Sequence, residues 1–224
     1  MKMQLPMQFA PAPAFGWLRA MLGALFAIGA TSLICRIWLG DAPDSLPFLI
    51  APIGASAVLV FALPASPLAQ PWPVIGGNIV SALVGIVMFH WVPDPDFAAG
   101  LAVAVALGAM ALLRCLHPPG GAVALTGVIG GTAIHTAGWH YALMPVALNS
   151  AILNGLAWLF HKATGHSYPH RAVPTPPRAS REVTVDDIRA ALVNYDEIID
   201  VHPDDLLMLL RAAQAQAEAR HAAR

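Results

Sequence analysis

Long apolar runs separated by short polar turns occupy the first three quarters of the chain. The runs cover residues 15–39, 46–63, 74–92, 97–115, 119–134 and 141–160. Because a helix needs about 20 apolar residues to cross a bilayer core, the longer runs are typical of membrane spans. The second and fifth runs are short or broken, with proline and glycine near their starts. The pattern therefore predicts an all-α membrane protein with six transmembrane segments.

Charge is rare in this chain and collects near its C-terminal end. Hydrophobic residues make up 57% and charged residues 11% of the sequence, whereas soluble domains carry roughly 25% charged residues. The lipid bilayer is therefore an expected partner. Nucleic acid is not, because no basic stripe with interleaved aromatics exists. We predict an N-terminal cytoplasmic segment, a transmembrane domain, a basic Pro-rich linker and an amphipathic helical tail, at residues 1–14, 15–161, 162–180 and 181–224.

The charges that flank the apolar runs predict an orientation. The turns after the first and third runs carry only aspartate, whereas basic residues stand at the other ends, namely Lys2, Arg19, Arg114 and Lys162. The positive-inside rule places such basic flanks in the cytoplasm. Both termini are therefore expected to be cytoplasmic, with an even number of crossings between them.

The two halves of the apolar region carry a partial repeat. Residues 52–58 align without gaps on residues 119–125, at a constant offset of 119 − 52 = 67. Asn78 and Asn149 lie near the start of the runs that follow, 149 − 78 = 71 residues apart. The halves would form a 3+3 inverted repeat, in which transporters place a substrate site between broken helices. The alternative is a chance alignment of Ala/Gly-rich segments.

A His-Pro-Pro-Gly-Gly sequence interrupts the helical pattern between the fourth and fifth runs. Its two prolines forbid a continuous helix. Arg114 and His117 are candidates to attract an anion toward the backbone N–H groups of Gly120, Gly121 and Ala122, because helix N-termini bind anions. Alternatively, Arg114 anchors a helix end at the interface and His117 is a structural histidine that caps the break.

The corresponding stretch of the first half offers a second set of candidate substrate-binding residues. Gly54, Ala55 and Ser56 begin a short apolar run, with the Ser56 hydroxyl as a further donor. Asn78 and Asn149 are candidates to donate side-chain amides to a substrate. The alternatives are close helix packing by the small residues and interhelical hydrogen bonds by the asparagines.

Sequence signatures of enzymes, cofactors and metal sites are missing. The sequence has no Gly-x-Ser-x-Gly elbow, no phosphate-binding loop with lysine and no paired carboxylates within the apolar runs. We therefore expect no enzymatic activity, no cofactor and no metal site. His161, His166 and His170 lie in or beside the linker and are expected to be solvated. Because acidic residues are absent from the apolar runs, an anion is favoured over a cation as the ligand.

The sequence Leu-His-Pro-Pro-Gly-Gly-Ala-Val-Ala-Leu at residues 116–125 resembles the signature of the HPP family of integral membrane proteins. Stretches at residues 52–61, 66–71 and 76–78 also match it, so the resemblance covers about residues 15–161. It implies a compact helical membrane domain, commonly described with fewer than six spans, and, from plant plastid members, nitrite transport. The tail is similar to the segment that precedes a pair of CBS domains in longer bacterial members, and this sequence contains no CBS domain.

These features together favour a transporter or channel of the bacterial inner membrane for a small monovalent anion. Nitrite is the first expected substrate and nitrate the second. A homodimer is expected, because the Ala/Gly-rich fourth run offers a packing face. The alternative is a membrane-embedded sensor or anchor whose cytoplasmic tail carries or recruits a regulatory domain.

Overall fold

The computed structural model describes residues 14–39, 49–171, 183–193, 201 and 203–222. The predicted N-terminal segment up to residue 13, most of the acidic turn after the first run, and most of the basic linker lie outside these residues. Contacts divide the chain into two compact units. One unit is Leu18–Arg171, and the other combines Met1–Trp17 with Ala172–Arg224.

All regular secondary structure in the described residues is helical, which confirms the predicted fold class. The helices of the apolar region are α1 Ala14–Leu39, α2 Pro52–Ala62, α3 Pro71–Trp91, α4 Pro95–Leu112, α5 Pro119–Ile129, α6 Thr132–Ala137 and α7 Leu148–Ala163. Two helices follow in the tail, α8 Val185–Val193 and α9 Pro203–Ala222. A single 3-10 turn, Pro67–Ala69, precedes α3, and a π-type turn, Ala142–Ala147, leads into α7.

Among the described residues, four helical stretches are long and apolar enough to cross a membrane alone: Gly16–Ile37, Pro71–Trp91, Pro95–Leu112 and Ala142–Ala163. The helices α2 and α5 have 11 residues each. At 1.5 Å per residue they are about 16 Å long, roughly half of a 30 Å hydrocarbon core. The second and fifth predicted segments are therefore short helices that cannot span a bilayer by themselves.

Helix boundaries depart from the predicted runs where proline and glycine act at helix ends. The helix α3 begins at Pro71 and not at residue 74, because prolines are tolerated in the first turn of a helix. The helix α5 ends at Ile129 and not at residue 134. Gly131 has a φ of 84°, a conformation that glycine adopts without strain and that ends the helix.

The short helix α2 lies along α7 and runs in the same direction. Near its start, Ile50 donates its backbone N–H to Oδ1 of Asn149, at 2.9 Å. Near its end, the Val60 carbonyl accepts from Nε2 of His161, at 3.0 Å. Asn149 and His161 stand near opposite ends of α7, so the two hydrogen bonds fix the position of α2 along that helix.

The short helix α5 lies along α3 and also runs in the same direction. A Cβ atom on Gly77 would approach the Cys115 carbonyl oxygen to 2.6 Å, and one on Gly85 would approach the Ala124 carbonyl oxygen to 2.3 Å. A Cβ on Gly127 would come within 2.9 Å of the Gly85 Cα. The two backbones thus touch through glycines, as small residues allow in membrane helices.

Successive segments of the unit alternate in direction. The start of α3 meets the end of α4, where Trp72 Nε1 donates to the Leu113 carbonyl at 3.2 Å. The turn after α5 reaches the far end of α3, where the His135 ring stacks on Phe89 with centroids 3.5 Å apart. The helix α7 then returns to the end at which α1 begins, since Arg19 contacts His161 there. The chain therefore passes through the unit in six segments of alternating direction, of which α2 and α5 are too short to cross a bilayer alone.

The tail helices α8 and α9 pack on each other in the second unit. Thr184 and Asp187 cap α8 reciprocally: the Thr184 N–H donates to Asp187 Oδ2 at 2.9 Å, and the Asp187 N–H donates to Thr184 Oγ1 at 3.3 Å. The Thr184 hydroxyl, which donates to Asp187 Oδ2 at 2.7 Å, and the Thr184 N–H together hold the pKa of the exposed Asp187 carboxyl below its usual value. A groove of 460 Å³ separates the two helices, lined by Ile188, Ala191, Leu192, Leu206, Leu209, Leu210 and Ala213.

Candidate functional site

Four polar side chains meet in the interior of the unit, and we call them the buried polar cluster. They are Ser56 of α2, Asn78 of α3, His117 just before α5 and Ser150 of α7. Each is 0% exposed. The cluster thus joins both short helices to the two helices along which they lie, and three of its members were candidates from the sequence. Ser150 was missed, although it directly follows a candidate asparagine.

The orientation of His117 follows from its two hydrogen bonds. Its Nδ1 lies 2.8 Å from the Leu68 carbonyl oxygen, which can only accept. Nδ1 therefore carries the proton, and the neutral ring accepts at Nε2 from the Ser56 hydroxyl, 2.8 Å away. Pro118 and Pro119 place the imidazole here, because they end the preceding helical conformation and begin α5.

Asn78 connects the cluster to α7 and leaves one polar atom unused. Its Nδ2 donates to Ser150 Oγ at 3.0 Å, with a longer 3.5 Å contact to Ser56 Oγ. Its Oδ1 is buried and has no hydrogen-bond partner among the described residues. Buried amide atoms are nearly always paired, so an unused one at the centre of a polar cluster marks a place for a ligand or water.

A second set of hydrogen bonds extends the cluster toward the segment after α7. Asn154 Nδ2 donates to the Ser150 carbonyl at 2.8 Å. The Tyr168 hydroxyl lies 2.6 Å from Asn154 Oδ1 and 2.8 Å from the Ala69 carbonyl oxygen. Burial raises the pKa of the Tyr168 phenol. Tyr168 therefore ties the chain after α7 to the loop before α3, a contact that nothing in the sequence pattern signals.

Asn149 lies outside the cluster and is engaged in structural hydrogen bonds. Its Oδ1 accepts the Ile50 N–H, and its Nδ2 donates to Cys35 Sγ at 3.2 Å. Both asparagines make hydrogen bonds between segments, Asn149 to Ile50 and Cys35, and Asn78 to Ser56 and Ser150. The symmetric pair predicted from the sequence has two different environments.

The small residues at the starts of α2 and α5 have mixed exposure. Gly54, Ala55 and Ala122 are exposed, Gly121 is half-buried and Gly120 is buried. Their first-turn N–H groups bond to carbonyl oxygens just upstream: Gly54 to Ala51 at 3.1 Å, Gly120 to His117 at 2.8 Å and Gly121 to Pro118 at 3.1 Å. In this conformation these N–H groups therefore donate hydrogen bonds to carbonyl oxygens at the start of their own helix.

Arg114 stands at the end of α4 with an exposed side chain. Its φ is 55°, a left-handed conformation that costs a non-glycine residue roughly 1–2 kcal/mol. The neighbouring Leu113 carbonyl accepts from Trp72. Arg114 is therefore placed beside the buried part of the connection to α5, not within the buried polar cluster.

A second buried histidine corrects an expectation from the sequence. His161, expected to be solvated, is 0% exposed. Its Nε2 donates to the Val60 carbonyl at 3.0 Å, so its Nδ1 accepts from Arg19 Nη1, also at 3.0 Å. The error arose because α7 continues to Ala163, two residues beyond the predicted end of the transmembrane domain. Among the described residues no group of three His, Cys, Asp or Glu side chains is arranged to hold a metal ion.

Comparison with known proteins places this architecture in a family. Residues 10–169 match the family model described as HPP, transmembrane region. The chain belongs to the HPP family of integral membrane proteins. The fold described above is therefore that of an HPP transmembrane domain, and the His-Pro-Pro sequence of the family name includes the histidine of the buried polar cluster.

Two transmembrane proteins of Dictyostelium discoideum are similar to this HPP protein. One is 40% identical over 107 residues, which cover 46% of this chain and 34% of the relative. The other is 32% identical over 159 residues, which cover 68% of this chain and 53% of the relative. The chain thus spans about a third and about half of the lengths of these relatives. No solved structure gives a significant match.

Proposed function

We propose that this HPP protein is a transporter or channel for a small monovalent anion, with nitrite as the first substrate and nitrate as the second. The observation that carries the proposal is the buried polar cluster, a set of neutral donors in the interior of a membrane protein. Polar groups at membrane depth are costly and typically line a substrate path. The order of the two anions rests on the family resemblance to plastid nitrite transporters.

The chemistry of the cluster suits an anion better than a cation. The hydroxyls of Ser56 and Ser150 and the amide of Asn78 supply hydrogen-bond donors that can turn toward a ligand. Hard cations prefer carboxylate and carbonyl oxygens. Among the described residues no Asp or Glu is buried, and the two acids of the α3–α4 turn, Asp94 and Asp96, are exposed.

The starts of α2 and α5 contribute the positive ends of their dipoles. Because the N–H groups of Gly54, Gly120 and Gly121 bond within their own helix starts, we assign first contact with the anion to the cluster side chains. Coordination by these N–H groups, and by those of Ala55 and Ala122, follows when a first turn opens. The four cluster side chains are fully buried, so the present conformation is the occluded one.

The parallel pairs α2–α7 and α3–α5 support an inverted repeat. In such a repeat α2 corresponds to α5, and α3 corresponds to α7, so each short helix lies along a long helix of the other half. Opening one pair at a time would expose the cluster to one side of the membrane and then to the other. We assign both termini to the cytoplasm of a bacterial inner membrane from the flanking charges.

Further parts of the proposal concern the surface of the protein. Exposed Arg114 raises the local anion concentration near the cluster without binding the anion directly. Gly100, Ala104 and Gly108 form an exposed small-residue face on α4, and a Cβ on either glycine would meet no neighbour within 4 Å. This face suits a homodimer. Movement of the anion involves no catalytic chemistry, cofactor or metal.

Uptake of nitrite and nitrate into liposomes containing the purified protein tests the proposal. We expect uptake above empty liposomes, reduced at least tenfold in the Ser56→Ala, Asn78→Ala double variant, which removes two donors. Gly29→Ala on α1 is the control and retains uptake, because Gly29 is exposed and a Cβ there would meet no neighbour within 4 Å. Arg114→Gln is expected to lower the rate only at low salt, because screening weakens exposed charges. If the wild type moves neither anion, the proposed function is wrong.

The tail supports a second candidate function, that of a membrane-embedded sensor or anchor. The groove between α8 and α9 is lined by apolar side chains, and Met208 and Leu209 are 66% and 68% exposed. Apolar surface of this kind marks interaction sites. If deletion of residues 183–224 leaves anion uptake intact but abolishes recruitment of a regulatory domain, the tail has this separate role.

A further inference from the structure

His117 has the geometry of a group that can gain a proton without losing a partner. Its Nδ1 already donates to Leu68, so a second proton must go to Nε2, which now accepts from Ser56. The Ser56 hydroxyl has another acceptor, the Pro52 carbonyl oxygen at 3.5 Å. When the hydroxyl turns to Pro52, its oxygen accepts from a protonated Nε2. One rotation of one hydroxyl therefore converts the neutral arrangement into the charged one.

The surroundings of His117 contain no fixed countercharge for that proton. The elements packed around it are α2, the loop at residues 63–70, α3, α4, the α4–α5 connection, α5 and α7. Their titratable and charged side chains are exposed Arg114 and buried Cys115 in the connection, His90 near the far end of α3, and His161 and Lys162 near the end of α7; Tyr168 follows α7. The one carboxylate among the described residues of these elements, Asp96, is exposed in the first turn of α4, at the end of that helix away from His117.

An imidazolium and an anion therefore stabilise each other in this cluster. A lone charge in a buried site without a countercharge is unfavourable for either ion. An anion held by the Ser150 hydroxyl and by Nδ2 of Asn78, which lie 3.0 Å apart, forms a neutral pair with a protonated His117. Each ion provides the countercharge that the other needs, so the binding of the proton and the binding of the anion are coupled.

Building on the proposed function, we propose that the site binds a proton together with the anion, and that His117 Nε2 carries that proton. One monovalent anion and one proton enter from the same side. Both leave on the other side, where Nε2 loses the proton and the Ser56 hydroxyl turns back. No net charge moves, and the transported species is equivalent to the conjugate acid of the anion.

The test measures whether a pH gradient drives accumulation. Liposomes containing the full chain are held at zero membrane potential with potassium and its ionophore, and are placed in medium one pH unit more acidic than their interior. Coupling of one proton to one anion predicts about tenfold accumulation, since a tenfold concentration ratio balances one pH unit. Nitrate is the main probe and nitrite the second, with uptake by empty liposomes subtracted, because nitrous acid crosses lipid unaided.

The outcomes separate this inference from the proposed function. His117→Gln is expected to lose the accumulation that the pH gradient drives, and nitrate exchange is measured separately on the wild type. Accumulation by that variant would show that another group carries the proton. Wild-type protein that exchanges nitrate but does not accumulate it, or that accumulates it in response to membrane potential alone, overturns the coupling and leaves anion transport standing. If His117→Gln does not fold, the wild-type measurements alone decide whether proton and anion transport are coupled.

Discussion

The two short helices look alike in sequence and are held in different ways. Both α2 and α5 have 11 residues and begin with proline. The helix α5 lies against α3 by direct backbone contact through glycines. The helix α2 is held to α7 by polar side chains of α7, with Asn149 near one end and His161 near the other, and its own aligned glycine, Gly54, is exposed.

This difference in attachment indicates which of the two short helices can move relative to its neighbour. Backbone-to-backbone packing leaves no room for sliding, because every shift brings main-chain atoms into collision. Hydrogen bonds at two ends can break and re-form. We therefore expect α3 and α5 to form the fixed part of the unit, and α2, which carries Ser56, to be the part that opens the buried polar cluster.

The largest expected loss of stability comes from adding a side chain to a glycine where α3 and α5 touch. A Cβ on Gly85 would lie 2.3 Å from a backbone oxygen of Ala124, so Gly85→Ala must separate two helices. Overpacking costs 1–3 kcal/mol and occasionally more, and we expect about 3 kcal/mol or more from this variant. Unfolding in mixed micelles measures this loss, with Gly29→Ala as the control, because a Cβ on Gly29 would meet no neighbour within 4 Å. Equal stability of the two variants would contradict close α3–α5 packing.

The two asparagines should differ in their effect on stability. Asn149→Ala removes the acceptor of a buried backbone N–H, that of Ile50, and should cost about 2 kcal/mol. Asn78→Ala removes a side chain whose Oδ1 already lacks a partner, and should cost about 1 kcal/mol or less. The same unfolding titration compares them. A larger loss of stability in Asn78→Ala than in Asn149→Ala would mean that the buried polar cluster, and not the contacts of Asn149 on α7, anchors the fold.

Removal of the Tyr168 hydroxyl is expected to have a small effect on stability and to change its pH dependence. Tyr168→Phe removes a hydroxyl that contacts Asn154 and Ala69, at a cost of about 1 kcal/mol. Its folded-state pKa is raised above the ordinary value of 10.0, so its contribution is complete below pH 10 and decreases as the pH rises above it. Melting temperatures at pH 9 and pH 11 measure this. Identical declines in wild type and Tyr168→Phe would assign the pH dependence to other groups.

Much of the helical layout could be predicted from the sequence. Apolar run length separates the long helices from the short ones, and Pro52 and Pro119 mark the first turns of α2 and α5 because proline starts a helix more easily than it continues one. Helix ends were less accurate. The end of α5 at Ile129 depends on the positive φ of Gly131, which a run of apolar residues does not reveal.

The candidate site was predicted in part, and the misses have a common cause. Ser56, Asn78 and His117 stand beside proline or glycine breaks, which attract notice in a sequence. Ser150 and Tyr168 join the site only because α7 lies along α2 and the chain after α7 folds back onto the loop before α3. Contacts between residues about 70 to 100 positions apart leave no local signal when an alignment is lacking.

The central claim is that an anion passes through the buried polar cluster while the contacts of Asn149 are structural. Nitrite and nitrate uptake by Asn78→Ala and Asn149→Ala, each normalised to the amount of folded protein in the liposomes, tests it most directly. The account predicts that Asn78→Ala loses most of its uptake and that folded Asn149→Ala keeps most of it. Equal uptake by the two variants, or a greater loss in Asn149→Ala, would contradict the assignment of the cluster as the anion path.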